Sequence, residues 1–181
     1  GLYSGRVVHF NGTASTGYDW ATTVSGTSPY TLSGLATGSY SALNTSAGSD
    51  SLNSRITATQ SLSGNRVTHS LKIENPAAAQ TLSLGSNLLT LSSGGLLVTG
   101  TNATTLSGNT GTIGLTAGNG SGAYDLIVHQ FNSGGLTVSA VIGDNGSNPV
   151  NLVKAGSGTL TLSGINTFTG TTFVNGGALN L

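Results

Sequence analysis

Short segments of alternating apolar and polar residues, separated by glycine-rich turns, recur along this chain from about position 67 onward. Clear examples are residues 67–73 (VTHSLKI), 96–99 (LLVT) and 159–162 (TLTL). A period of two is typical of a β-strand with one buried face. The intervening positions combine Gly with Asn or Ser, as in residues 175–177 (NGG), which is typical of turns. The pattern therefore predicts an all-β fold.

The composition agrees with strands and turns and excludes several function classes. Gly (29), Thr (27), Ser (25) and Asn (16) are poor or mediocre helix formers and make up more than half of the 181 residues. Five Lys and Arg residues are too few for a basic patch, so we expect no nucleic-acid partner. Cys is absent, and no apolar run approaches 18 residues, so we expect neither thiolate metal sites nor a membrane-embedded chain.

The spacing of the segments suits either a β-sandwich or a β-solenoid. The solenoid is favoured because the segments are short and their polar faces are runs of Thr and Ser, which stack well between adjacent coils. We therefore predict a parallel β-helix with short Gly- and Asn-rich turns. It forms a single segment over residues 1–181, with a less regular part at 1–60 and no separate domain.

Residues 152–181 (LVKAGSGTLTLSGINTFTGTTFVNGGALNL) carry an ordered motif. Its elements are a Lys, Gly-x-Gly-Thr-Leu-x-Leu-x-Gly, an Asn, Thr-aromatic-Thr-Gly and a closing Val-Asn-x-Gly. The corresponding residues are Lys154, Gly156, Gly158, Thr159, Leu160, Leu162, Gly164, Asn166, Thr167, Phe168, Thr169, Gly170, Val174, Asn175 and Gly177. This segment resembles the autotransporter-associated β-strand repeat found in the passenger regions of secreted bacterial proteins.

The resemblance implies a right-handed parallel β-helix that is exported and located outside the cell or on the bacterial cell surface. Because the chain begins at Gly1, with neither Met nor a signal peptide, we expect an interior piece of a longer precursor or a processed product.

The potential catalytic and ligand-binding residues do not form a convincing reactive group. Asp125 and His129 would share one strand face, but four positions along a strand span about 13 Å, too far for a hydrogen bond. His69 alternates with apolar residues and is interpreted as a core histidine. We therefore expect no catalytic residue, no metal and no cofactor.

Four aromatic residues cluster in the less regular N-terminal part, at Tyr18, Trp20, Tyr30 and Tyr40. They could form a sugar-stacking platform, or they could cover the first coils as a cap or a core. Capping or core packing is the favoured interpretation. The sequence leaves the possibility of glycan contact open.

The sequence leads to one preferred function and two alternatives. The preferred function is that of a non-catalytic extracellular solenoid, structural or adhesive, in a secreted passenger or a fibre. A module that binds polysaccharide or a surface through Trp20 and the Thr-rich faces is the second, and a carbohydrate-active β-helix enzyme is the third.

The apolar end at Ala178, Leu179, Asn180 and Leu181 has no charge or Pro to block it. We therefore expect self-association, either head-to-tail between copies or with neighbouring coils of a longer chain.

Period-two alternation also predicts which side chains face inward. Thr159 and Thr161 should face outward, and the turn at residues 175–177 should contain a positive φ. The residues predicted to face inward are Val67, Leu71, Ile73, Leu82, Leu84, Leu160 and Leu162.

Overall fold

The computed structural model describes residues 8–10, 18–23, 32–75, 77–120, 122 and 124–181. These ranges contain nineteen β-strands and one 3-10 turn, Thr37–Ser39. The all-β prediction is therefore confirmed. No helix in the described ranges is long and apolar enough to cross a membrane.

The first three strands form a small antiparallel sheet, called here the N-terminal sheet. It consists of β1 (Val8–Phe10), β2 (Tyr18–Thr23) and β3 (Leu32–Gly34), with β2 in the middle. This antiparallel pairing distinguishes the less regular N-terminal part from the rest of the chain.

The strands that follow pair only in parallel, as predicted. They are β4 (Ser41–Ala42), β5 (Gly48–Ser49), β6 (Asn53–Ile56), β7 (Gln60–Ser61), β8 (Arg66–Asn75), β9 (Gln80–Gly85), β10 (Leu89–Gly100), β11 (Thr104–Gly108), β12 (Ile113–Ala117), β13 (Tyr124–Gln130), β14 (Leu136–Val138), β15 (Val141–Ile142), β16 (Val150–Ala155), β17 (Thr159–Leu162), β18 (Thr172–Val174) and β19 (Ala178–Asn180).

The parallel strands lie in three rows. The main row follows the order β4-β6-β8-β10-β13-β16-β18, and the six-stranded sheet follows β7-β9-β11-β14-β17-β19. A side row contains β5, β12 and β15 together with the first halves of β8 and β10. From β8 to β16 the chain visits the main row, the six-stranded sheet and the side row in a constant order. One passage through the three rows is called a circuit. Apart from β15, whose described partner is β12 of the preceding circuit, each of these strands pairs with strands one circuit earlier and one circuit later.

The core lies between the rows and consists of the apolar side chains on their inner faces. Leu160 is fully buried and Leu162 is 4% exposed, whereas Thr159 and Thr161 are half-buried on the opposite face. The predicted inward placement of Leu71, Ile73, Leu82, Leu84, Leu160 and Leu162 is confirmed.

The predicted inward placement of Val67 is wrong. Val67 is half-buried, while the adjacent Thr68 is fully buried. β8 runs through two rows, and its register with β10 shifts where Thr68 pairs with Leu91 and Ser70 pairs with Gly95. A bulge of this kind changes which residues face inward, so a single alternation does not hold along the strand. His69 lies at this shift and is half-buried.

Candidate functional site

The N-terminal sheet contacts the outer face of the main row. A register column on that face contains Arg55, Lys72, Leu97 and His129, which alternate with core residues. Leu97 is fully buried although it points away from the core, and β2 contacts the strand that carries it. The N-terminal sheet therefore covers part of the outer face of the main row.

Four charged residues lie where the N-terminal sheet meets the main row. Lys72 Nζ lies 2.5 Å from Asp19 Oδ1 and 3.5 Å from Glu74 Oε2. Arg55 donates from Nε to Glu74 Oε2 at 2.9 Å. Two cations and two carboxylates balance one another, so this charge cluster carries no net charge.

Tyr40 is held against this charge cluster. Its hydroxyl donates to Asp19 Oδ1 at 3.0 Å and accepts from the Trp20 backbone N–H at 3.2 Å. Lys72 Nζ lies 5.5 Å from the centre of the Tyr40 ring, within cation–π distance. Burial raises the pKa of Tyr40 well above its usual range, and the Asp19 and Glu74 carboxylates raise it further, against the lowering effect of the Trp20 N–H. The phenol is therefore neutral and fixed.

A cavity of about 170 Å³ opens beside the charge cluster. It is lined by Tyr40, Ser41, Ala42, Arg55 and Thr57. The lining side chains include one aromatic ring, one guanidinium and the hydroxyl-bearing Thr57. Ser41 pairs with the buried Ser54, so its side chain lies on the inner face. These residues come from β4, β6 and the positions adjacent to those strands.

The structure describes the side chains of two of the four aromatic residues proposed for glycan contact, and it buries them to different extents. Trp20 is fully buried, and its ring lies edge-on to His129 with the ring centres 5.7 Å apart. This placement agrees with the core interpretation of Trp20. Tyr40 lines the cavity, whereas Tyr30 and the side chain of Tyr18 lie outside the described residues. Glycan contact stays a prediction, and Tyr40 is its accessible candidate.

A buried ion pair lies in the side row near the start of the parallel rows. Arg66 pairs with Asp50 through Nη2 and Oδ2, and the two side chains are 6% and 18% exposed. Asp50 Oδ1 also accepts from the Leu52 N–H at 3.1 Å and from the Thr68 hydroxyl at 2.9 Å. The ion pair therefore interrupts the apolar interior in the side row, whereas Leu43, Ile56 and Leu62 belong to the core nearby.

Lys154 occupies a buried corner in the segment with the ordered motif. Its Nζ donates to the carbonyl oxygens of Ala155, Gly156 and Gly176 at 3.1, 2.8 and 2.8 Å. Burial lowers the pKa of the ammonium group. Because Gly176 follows β18, Lys154 connects its own circuit to the next one. The sequence assigned Lys154 no contact, because turns of two circuits bring its carbonyl partners together and a local pattern does not show this.

The motif glycines lie where the backbone of the preceding circuit approaches closely. A Cβ on Gly158 would lie 2.6 Å from the Asn132 carbonyl oxygen, and one on Gly164 would lie 2.8 Å from that of Ala140. At Gly170 a Cβ would collide with the Val150 carbonyl oxygen. Gly177 has φ +68°, which confirms the predicted positive φ.

We expect Gly170→Ala to lower the free energy of unfolding by roughly 1–3 kcal/mol, because its Cβ has no space against the preceding circuit. Gly38→Ala is the control, since φ is not positive there and no atom lies within 4 Å of a Cβ. Urea titration followed by circular dichroism measures both. Equal losses for the two variants would contradict the close-approach explanation.

Asp144 and Asn166 connect turns of adjacent circuits. The Asp144 carboxylate accepts from the backbone N–H groups of Val150 and Thr169 at 2.9 Å each and from the Thr169 hydroxyl at 2.7 Å. Partial burial raises the pKa of Asp144, but these hydrogen bonds outweigh burial, and the net pKa is lowered. Asn166 Oδ1 accepts from the Ile142 N–H at 2.9 Å. In each of these contacts a side-chain oxygen, instead of a backbone carbonyl, accepts from a backbone N–H.

The residues considered for catalysis have structural partners. Asp125 accepts from Asn151 Nδ2 at 2.9 Å, and the His129 ring stacks on Phe131 with centres 6.4 Å apart. His69 Nδ1 lies 3.4 Å from the Ser92 hydroxyl, and burial lowers its pKa. Within the described part of the chain, no group of three or more His, Cys, Asp or Glu residues is placed to hold a metal ion.

The last circuit presents an edge with apolar side chains. β18 pairs only with β16 and β19 only with β17 among the described strands. Phe173 is 48% exposed and Leu181 is 94% exposed. The segment proposed for assembly, Ala178, Leu179, Asn180 and Leu181, belongs to this edge.

The parallel strands stack on one another, and side-chain hydrogen bonds and close contacts at glycines connect them. The chain is therefore an all-β protein in which neighbouring circuits stabilise each other. Residues 152–181 match the passenger-associated-transport-repeat family, which confirms the resemblance predicted for this segment. No curated protein and no solved structure matches the chain.

Proposed function

We propose that the parallel strands form a right-handed β-helix. The constant order of the three rows supports a solenoid, in which each circuit contributes one strand to each row. Crossovers between parallel strands of one sheet are right-handed in about 98% of cases. This general rule supports the handedness.

This β-helix serves as a non-catalytic, structural or adhesive segment of a secreted passenger, located outside the cell or on the bacterial surface. The observation that carries the proposal is that residues of the family-matched segment connect adjacent circuits. Lys154, Asn166 and Gly170 all contact an adjacent circuit or leave space for it. Protease digestion of intact producing cells tests the location, because an external segment is cleaved without lysis.

The last circuit is the site of self-association. Edge strands with unpaired backbone groups accept further β-structure, and the near-zero net charge supplies little repulsion between copies. The added coil comes from another copy, which builds a filament, or from neighbouring coils of a longer chain.

Light scattering and electron microscopy of the purified chain test the association. The scattering mass should rise with concentration, and particles should lengthen along the stacking direction, where seven main-row strands span about 30 Å. Val174→Lys with Leu181→Lys should reduce the association, whereas Thr101→Lys, at an exposed turn, should not. A monodisperse monomer at every concentration would contradict the proposal.

A further inference from the structure

We propose that the cavity beside Tyr40 binds one unit of an uncharged saccharide. This inference does not depend on the structural role proposed above, because the cavity lies at the opposite end of the main row from β18. It names a ligand and a site that the family match does not assign.

The shape and chemistry of the lining fit a sugar ring. A saccharide combines an apolar C–H face with hydroxyl groups, and the cavity combines the Tyr40 ring with the Arg55 guanidinium and Thr57, which carries a hydroxyl group. A volume of about 170 Å³ lies below the range of roughly 300–1,000 Å³ common for drug-sized ligands. The cavity therefore accommodates a single ring, with the rest of a polymer outside it.

The site is preorganised. The Tyr40 ring is fixed by hydrogen bonds to Asp19 and Trp20 and by its contact with Lys72. Glu74 holds Arg55 through Nε and Nη2, both at 2.9 Å. A guanidinium has five N–H donors, so Arg55 retains donor capacity at the cavity wall. Groups that are already ordered lose little entropy on binding, which favours even a weak ligand.

The charge balance selects an uncharged ligand over an acidic one. Glu74 contacts both Arg55 and Lys72, and Asp19 contacts Lys72. The positive charge beside the cavity is therefore already compensated. An acidic sugar would have to compete with two carboxylates for the same cations.

Isothermal titration with the methyl glycosides of glucose, galactose and mannose tests this proposal. At least one should bind with a Kd on the order of 1 mM. Ala42→Phe fills the cavity from an exposed position and should weaken that binding roughly tenfold or more, because the ring occupies the space for the sugar. Thr101→Phe adds the same ring at a distant exposed turn and should leave the Kd unchanged.

Circular dichroism of the same samples separates a folding failure from a binding failure. Folded wild-type protein that binds none of the glycosides overturns the proposal, and so does equal binding by Ala42→Phe and the wild type. Methyl glucuronide is the acidic comparison. Salt-sensitive binding of this glycoside in preference to the neutral ones overturns the assignment of an uncharged ligand.

Discussion

Leu160→Ala should lower the free energy of unfolding by about 2–5 kcal/mol, the range for removing most of a buried leucine side chain. Leu160 is fully buried in the core and pairs with Leu136 and Leu179 of the adjacent circuits. Little room exists for these neighbours to move inward, because each is fixed in a parallel ladder. Chemical denaturation followed by circular dichroism measures the loss.

Thr161→Ala is the matched control on the same strand. Thr161 is half-buried on the opposite face, so its loss should stay within roughly 0.5–1 kcal/mol. If the two variants lost the same stability, the assignment of faces in the six-stranded sheet would be wrong.

Arg66→Met should cost about 3–5 kcal/mol, because it leaves the Asp50 carboxylate in the interior without its cation. The methionine roughly preserves the volume, so the loss reports charge compensation more than packing. Thermal and urea unfolding at neutral pH measure the effect.

The double variant Arg66→Met with Asp50→Asn distinguishes the two causes. The introduced amide carries no charge, and its oxygen can still accept from the Leu52 N–H and the Thr68 hydroxyl, as the Asp50 carboxylate does now. The double variant should therefore be more stable than Arg66→Met alone. If the second substitution adds to the loss, an uncompensated carboxylate is not the cause.

The sequence predicted the strands of the repeated part because local alternation and turn chemistry determine them. The predicted segment 159–162 coincides with β17, and the turn at residues 175–177 contains the expected positive φ. Alternation failed at Val67 because the register shift between β8 and β10 arises from pairing with another circuit, which a local pattern does not contain.

The cavity and the charge cluster could not be predicted from the sequence. Asp19 and Lys72 are 53 positions apart, and Arg55 and Glu74 are 19 positions apart. The contact between Asp19 and Lys72 depends on how the N-terminal sheet lies on the main row, and the contact between Arg55 and Glu74 depends on the register between β6 and β8. The sequence did identify Tyr40 and Trp20 as a group, but the different burial of the two rings follows from that packing alone.

The described parallel strands pair only between successive circuits, and this has a mechanical consequence. The stability of such a stack is close to a sum of terms within circuits and between adjacent circuits. Pulling the two ends of the chain apart should therefore peel the end circuits first, since among the described parallel strands β4 and β7 at one end and β18 and β19 at the other each pair on one side. Release of the remaining circuits one after another would give a sawtooth of small force steps, in contrast to the single rupture of a domain that unfolds all at once.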